Sequence, residues 1–208
     1  MELLDLETPH GPARAHLHTA PEPCGALLLG HGAGGPVTAR DLVAVTRAAL
    51  AASCSVVLVE QPYRVAGRRA PAPAHQLDTA WTAVAAQLAD GPLAGLRLVA
   101  GGRSSGARVA CRTAAAIGAE GVLCLAFPLR PVPRAGKAAK DRTGELDAVA
   151  VPVLVVQGER DAFGMPGAAA GREVVAVRGT HALTSDLDAV AAAVTAWLPT
   201  VVGPGSQH

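Results

Sequence analysis

The fold class this sequence predicts is α/β: a single domain on one doubly wound, mostly parallel sheet with helices on both faces. Three observations carry it. Short continuous apolar runs, among them Gly25–Gly30, Ser55–Glu60 and Val151–Val156, recur as strands buried on both faces do. Stretches with helical spacing of apolar residues alternate with them. The residues best suited to chemistry then follow directly after such runs, and open parallel sheets build their sites beyond the carboxyl ends of the strands.

Taken in order, residues 2–7 and 13–18 read as two short strands joined by a turn at Pro9, Gly11 and Pro12, an antiparallel start. His16 and His18 are two apart and share one strand face. With no third ligand nearby they read as polar edge positions rather than a metal pair. The strand at 25–30 ends in His31-Gly32-Ala33-Gly34-Gly35-Pro36. Helical spacing over 41–52 leads to the strand at 55–60. Residues 61–75 form a loop or short cap before a helix over about 75–90. The apolar run Leu96–Ala100 breaks on Gly101-Gly102, with a helix starting near Ser104, and 121–126 is a further strand. Residues 128–147 hold Pro128, Pro131 and Pro133 beside Arg130, Arg134, Lys137, Lys140 and Arg142, with almost no apolar side chains, and read as an exposed loop. The strand at 151–156 runs into Gln157-Gly158-Glu159-Arg160-Asp161, and the last strand, 173–177, into Arg178-Gly179-Thr180-His181. An amphipathic helix over about 184–197 closes the domain. The domain is expected over 1–200, with 201–208 as a frayed, flexible tail.

Composition excludes several classes. A chain of 208 residues fits one domain with a proper core. Half of it is hydrophobic, yet the aromatics are only Tyr63, Trp81, Phe127, Phe163 and Trp197. The core must be aliphatic, and no aromatic platform exists for stacking bases. A formal charge of +1 offers no global attraction to nucleic acid or membrane. Cys24, Cys54, Cys111 and Cys124 lie in apolar runs without C-x-x-C spacing and read as reduced core thiols. No basic stretch precedes an apolar one at the N-terminus, and no apolar run is long enough for a bilayer. The expectation is a soluble cytoplasmic protein, monomer or homodimer, without cofactor, metal, nucleic-acid partner or membrane attachment.

The chemistry centres on Gly102-x-Ser104-x-Gly106. Between a strand and a helix, this is the pattern of a nucleophile elbow. The turn is too tight for side chains two residues before and after the serine, so glycines stand there. The helix N-terminus beyond it favours negative charge. The alternative is a glycine-rich turn in which Ser104 or Ser105 merely caps the helix. Three more segments follow predicted strands: the His31–Gly35 loop, Asp161 and His181. Parallel topology puts all four on one molecular edge. A serine needs a base, a histidine base needs a carboxylate to fix its tautomer, and the developing oxyanion needs fixed N–H donors worth about 3 kcal/mol each. The expected catalytic set is Ser104, His181 and Asp161, with the backbone N–H groups of Ala33 and Ser105 as the oxyanion hole. The order Ser…Asp…His is that of α/β-hydrolases. Ser105 lacks flanking glycines, and Glu159 is the rival acid. His31 reads as a brace for its glycine loop, and His75 lies near a helix start.

Together, His31-Gly32-Ala33-Gly34-Gly35, Gly101-Gly102-Arg103-Ser104-Ser105-Gly106, Gln157-Gly158-Glu159-Arg160-Asp161-x-Phe163-Gly164 and Gly179-Thr180-His181 resemble an α/β-hydrolase-like domain. It is the one shared by testis-expressed protein 30 and subunit 3 of the NSL acetyltransferase complex. More distantly the chain is similar to dienelactone-hydrolase-type enzymes, which use cysteine where Ser104 stands. The resemblance implies an α/β-hydrolase fold with a minimal lid and supports Ser104, Asp161 and His181. The function expected is a serine hydrolase that cleaves a small ester or thioester through an acyl-enzyme. The alternative is a non-catalytic interaction scaffold on the same fold. Arg103 reads equally as a salt-bridged scaffold group or a substrate contact. Arg64, Arg68 and Arg69, with the 130–142 cations, stand on the expected rim. There they either keep loops soluble or draw an anionic substrate.

Overall fold

The computed structural model describes residues 1–131 and 140–203. Eight strands form one sheet: β1 (Glu2–Leu6), β2 (Ala13–His18), β3 (Gly25–Gly30), β4 (Cys54–Glu60), β5 (Leu98–Arg103), β6 (Gly121–Leu125), β7 (Val153–Gly158) and β8 (Arg172–Val177). Their spatial order is β1-β2-β4-β3-β5-β6-β7-β8. β1 pairs antiparallel with β2, and β2 antiparallel with β4. Every later pairing is parallel. The chain turns back at β3, which lies between β4 and β5, so the loops leaving β3 and β5 are neighbours. Gly30 stands opposite Gly102 in that ladder.

Period-two alternation divides the buried side chains between two faces. Leu27, Leu29, Val56, Val99, Leu123 and Leu154 pack beneath α1 (Arg40–Ala51) and α6 (Leu187–Val202). Ala26, Leu28, Val57 and Val59 meet α3 (Ala74–Ala89) through Leu77, Trp81 and Leu88. Ala100, Val122, Cys124 and Val155 meet α4 (Ser105–Thr113) through Ala107, Ala110 and Cys111. Leu27, Leu28 and Leu29 are fully buried, each contributing about 1.5–3 kcal/mol by transfer from water. Two short helices, α2 (Pro62–Val65) and α5 (Thr143–Asp147), complete the second layer.

Three boundaries differ from the sequence expectation. β5 continues through Gly101 and Gly102 to Arg103, because these glycines fill ladder positions against Leu123 and Cys124. The 128–147 segment is not uniformly exposed: Pro128 and Leu129 are buried, and α5 drops Leu146 into the core. The expected cations Arg134 and Lys137 lie outside the described residues. α6 runs past Pro199 to Val202, five residues beyond the expected end. Proline removes one helical hydrogen bond there. The burial of Val201 and Val202 against the starts of β6 and β3 carries the helix through.

Backbone packs closely against backbone where α4 crosses the end of β3. A Cβ on Gly106 would stand 2.4 Å from the Gly30 carbonyl oxygen, and one on Gly102 would stand 2.7 Å from the same atom. Both would meet backbone, which cannot rotate away. By contrast, Gly34 has nothing within 4 Å of its Cβ position. Gly106→Ala is therefore expected to cost about 3 kcal/mol, and Gly34→Ala less than about 0.5 kcal/mol. Urea-unfolding midpoints of the two variants check this contrast.

Candidate active site

Ser104 occupies the turn between β5 and α4 with φ 53° and ψ −105°, a conformation that costs about 1–3 kcal/mol for a non-glycine residue. Its N–H donates to the Leu125 carbonyl at 2.9 Å, which ties the turn to β6. Although Ser104 is the N-cap residue of α4, its side chain makes no capping bond. Its Oγ lies instead 2.9 Å from His181 Nε2.

His181 follows β8, and its Nδ1 lies 2.8 Å from Asp161 Oδ2. A carboxylate only accepts, so Nδ1 carries the proton and Nε2 presents its lone pair to the Ser104 hydroxyl. Asp161 is buried and Glu159 exposed, which separates the two candidate acids. The Asp161 carboxylate also accepts from Gln157 Nε2 at 2.9 Å and from the Phe163 N–H at 2.9 Å. Gln157 Nε2 further faces the carbonyls of Phe127 and Gly164, so the acid is held from several sides. Gly158 lets the base loop approach: a Cβ there would stand 2.5 Å from the Thr180 carbonyl oxygen. The Phe163 ring covers the imidazole at 4.4 Å between centroids, tilted by 48°.

The loop after β3 is held by two buried rings. His31 Nε2 accepts from the Gln61 N–H at 3.2 Å, so the ring is neutral with its proton on Nδ1, which donates to the Gly32 carbonyl at 2.8 Å. That carbonyl belongs to the same peptide as the Ala33 N–H, so fixing one fixes the direction of the other. Tyr63 donates to the Ala33 carbonyl at 2.8 Å. Burial pushes its hydroxyl pKa up to about 12, which keeps it a donor. Among the described residues, neither the Ala33 nor the Ser105 N–H donates to a protein acceptor. Ser105 is the first residue of α4, and the C-terminal side of β3 places the Ala33 loop beside it.

The rim residues part company. Arg103 lies inward: Nε is 2.8 Å from Asp41 Oδ2 and Nη2 donates to the His181 carbonyl at 3.1 Å. Of the two readings expected for Arg103, this placement is that of the salt-bridged group, since its donors face protein and not the rim. Arg64 reaches the Arg68 carbonyl, whereas the Arg68 and Arg69 residues are exposed. Arg130 pairs with Asp141, and Arg142 donates to the Pro128 carbonyl. Among the described residues no metal-holding cluster of His, Cys, Asp or Glu occurs; His16 pairs with Glu60 instead. No helix described is long and apolar enough to cross a membrane.

Sequence reasoning gave no role to Gln157, Phe163, Tyr63 or Asp41. Gln157 was detectable as the polar residue ending an otherwise apolar strand, and Asp41 as the acid in the first turn of α1.

Residues 23–186 match the model of the family described as "Alpha/beta hydrolase domain", and the chain belongs to that family. Among solved structures it is similar to Est1E from Butyrivibrio proteoclasticus: TM-score 0.77, 16% identity, 98% of this chain and 100% of that one covered. It is similar to a dienelactone hydrolase from Anabaena variabilis: TM-score 0.76, 16% identity, 96% and 97% covered. It is also similar to XC6422 from Xanthomonas campestris, described as an α/β serine hydrolase without lid: TM-score 0.71, 19% identity, 94% and 92% covered. Compared with curated protein sequences, the chain matches none. The single, mostly parallel eight-stranded sheet is the α/β-hydrolase fold.

Burial holds the His31 imidazole below the ordinary histidine range, the Gly32 hydrogen bond opposing it only in part. Below about pH 6.5 the unfolded chain takes up a proton at this position while the folded one resists it. The unfolded state then binds more protons, so stability falls as pH drops through that window. His31→Asn is expected to flatten this acid limb of stability against pH, measured by urea unfolding at stepped pH.

Proposed function

We propose that this α/β hydrolase is a serine hydrolase that cleaves a small ester or thioester through an acyl-enzyme. The observation that carries the reading is the unbroken hydrogen-bonded line Asp161–His181–Ser104 at the carboxyl edge of the sheet. Ser104 Oγ attacks the carbonyl carbon as His181 Nε2 takes the hydroxyl proton. The tetrahedral oxyanion points at the Ala33 and Ser105 N–H groups and the N-terminus of α4. Asp161 stabilises the imidazolium. Collapse breaks the bond to the leaving group, which takes the proton from Nε2. Water, deprotonated by the same nitrogen, then releases the acid and restores the serine.

Labelling with a fluorophosphonate, followed by mapping of the modified residue, tests the assignment. Ser104 is expected to carry the label. Ser104→Ala abolishes hydrolysis of a short activated ester, and Ser105→Ala keeps most of it because the donor at 105 is backbone. Equal loss in both folded variants would overturn the assignment. Asp161→Asn should lower kcat by about 10⁴-fold, as the wrong imidazole tautomer is favoured. Glu159→Gln, at an exposed position, should change it little.

For substrate class, the exposed Arg68 lines a surface cleft with His10, Gln61, Tyr63 and Gln76. Gln61 and Tyr63 also line the hollow behind Ser105, so cleft and nucleophile turn adjoin. This favours a small anionic acyl group, and Est1E, at 16% identity, is recorded with ferulic acid bound. Steering requires a larger loss of kcat/KM with added salt for an anionic ester than for a matched neutral one. The difference should shrink in Arg68→Ala/Arg69→Ala. Identical salt responses would leave the arginines as solvated surface.

A further inference from the structure

We propose that Arg103 is a positioning residue: anchored on Asp41, its guanidinium holds the base loop, the oxyanion loop and the elbow as one unit. The proposal rests on the hydrolase reading above. Arg103 is the residue immediately before the nucleophile, so its backbone is already part of the strained turn. Each arm of its side chain meets a different segment. Nε faces Asp41 Oδ2 at 2.8 Å, in the first turn of α1. Nη2 donates at 3.1 Å to the carbonyl of His181 itself. Nη1 lies against Gly32 of the oxyanion loop, where a Cβ would stand only 2.9 Å away. A side chain at 32, one peptide before the Ala33 N–H, would displace the end of the guanidinium.

The anchor is a committed one. The Asp41 side chain is 1% exposed and that of Arg103 18% exposed. Asp41 Oδ1 accepts from the Leu42 N–H, while Oδ2 has only the ion pair, which is not aligned as a hydrogen bond. A planar fork with donors in three directions serves this geometry, and an ammonium on a flexible stem does not. Ser104, His181 and Ala33 come from loops after three different strands. The Arg103 side chain borders the loops that carry His181 and Ala33, and its backbone stands directly before Ser104. Catalytic geometry is sensitive to such support, since a displacement of about 1 Å costs about 100-fold in rate.

The test separates positioning from mere stability. Arg103→Met alone leaves a buried, unpaired carboxylate and should destabilise the fold. Replacing both partners, in Arg103→Met/Asp41→Leu, removes the buried charge and should restore the wild-type melting temperature. Its kcat should nevertheless stay about 100-fold low with KM within about twofold. Arg103→Lys keeps the charge beside Asp41 without the fork and should show the same kcat-specific loss in a folded protein. As a readout that needs no substrate, the downfield proton NMR signal of His181 Nδ1–H should broaden by exchange in both variants. A double variant with wild-type kcat and an unchanged Nδ1 signal would overturn the proposal, as would Arg103→Lys with both intact. If the wild-type protein hydrolyses no ester and Ser104 takes no fluorophosphonate, the hydrolase reading fails. The NMR signal still decides whether Arg103 holds His181.

Discussion

The contact on which the rest of the site depends is backbone against backbone: the first turn of α4 pressed onto the last residue of β3. Glycines at 102 and 106 permit it, since a Cβ at either would run into backbone, and a Cβ at Gly30 would stand only 3.1 Å from the Gly106 Cα. The approach brings the start of α4 over the end of the sheet and forces Ser104 into a left-handed conformation with its hydroxyl raised clear of the helix. The same approach sets the β3 loop beside the N-terminus of α4. Strain at one residue is the cost of turning a half-buried hydroxyl toward His181, and it is offset by the packed layers beneath.

Two buried carboxylates flank this turn, and their different partners give them different characters. Asp161 faces an imidazole whose other nitrogen meets the Ser104 hydroxyl, and its other contacts are uncharged donors. Asp41 faces a guanidinium whose charge is permanent. Burial pushes the Asp41 carboxyl above its usual range, and the field of Arg103 pulls against that.

Much of this was legible in the sequence because the signals were local. Continuous apolar runs gave the strands, and topology then placed Ser104, Asp161, His181 and the glycine loop on one edge without any side-chain information. Burial of Asp161 and exposure of Glu159 were not legible, since spacing along a turn does not say which residue points inward. Tyr63 and Asp41 were missed for a related reason. Each acts across the fold on a partner distant in sequence, as Tyr63 does on Ala33, 30 residues away. The end of α6 was not legible because it depends on tertiary packing of Val201 and Val202 at Gly121 and Gly25, which carries the helix past Pro199.

That packing has a consequence for how the molecule can be built upon. Val201 and Val202 bear on the starts of β6 and β3, the ends of those strands remote from Ser104. The sheet thus carries Ser104 and His181 on one rim, and the opposite rim is sealed by the final turn of a helix. Gly203 stands on the sealed side. A tether or a solid support attached there would present the rim that carries Ser104 outward, with the length of the strands between it and the point of attachment.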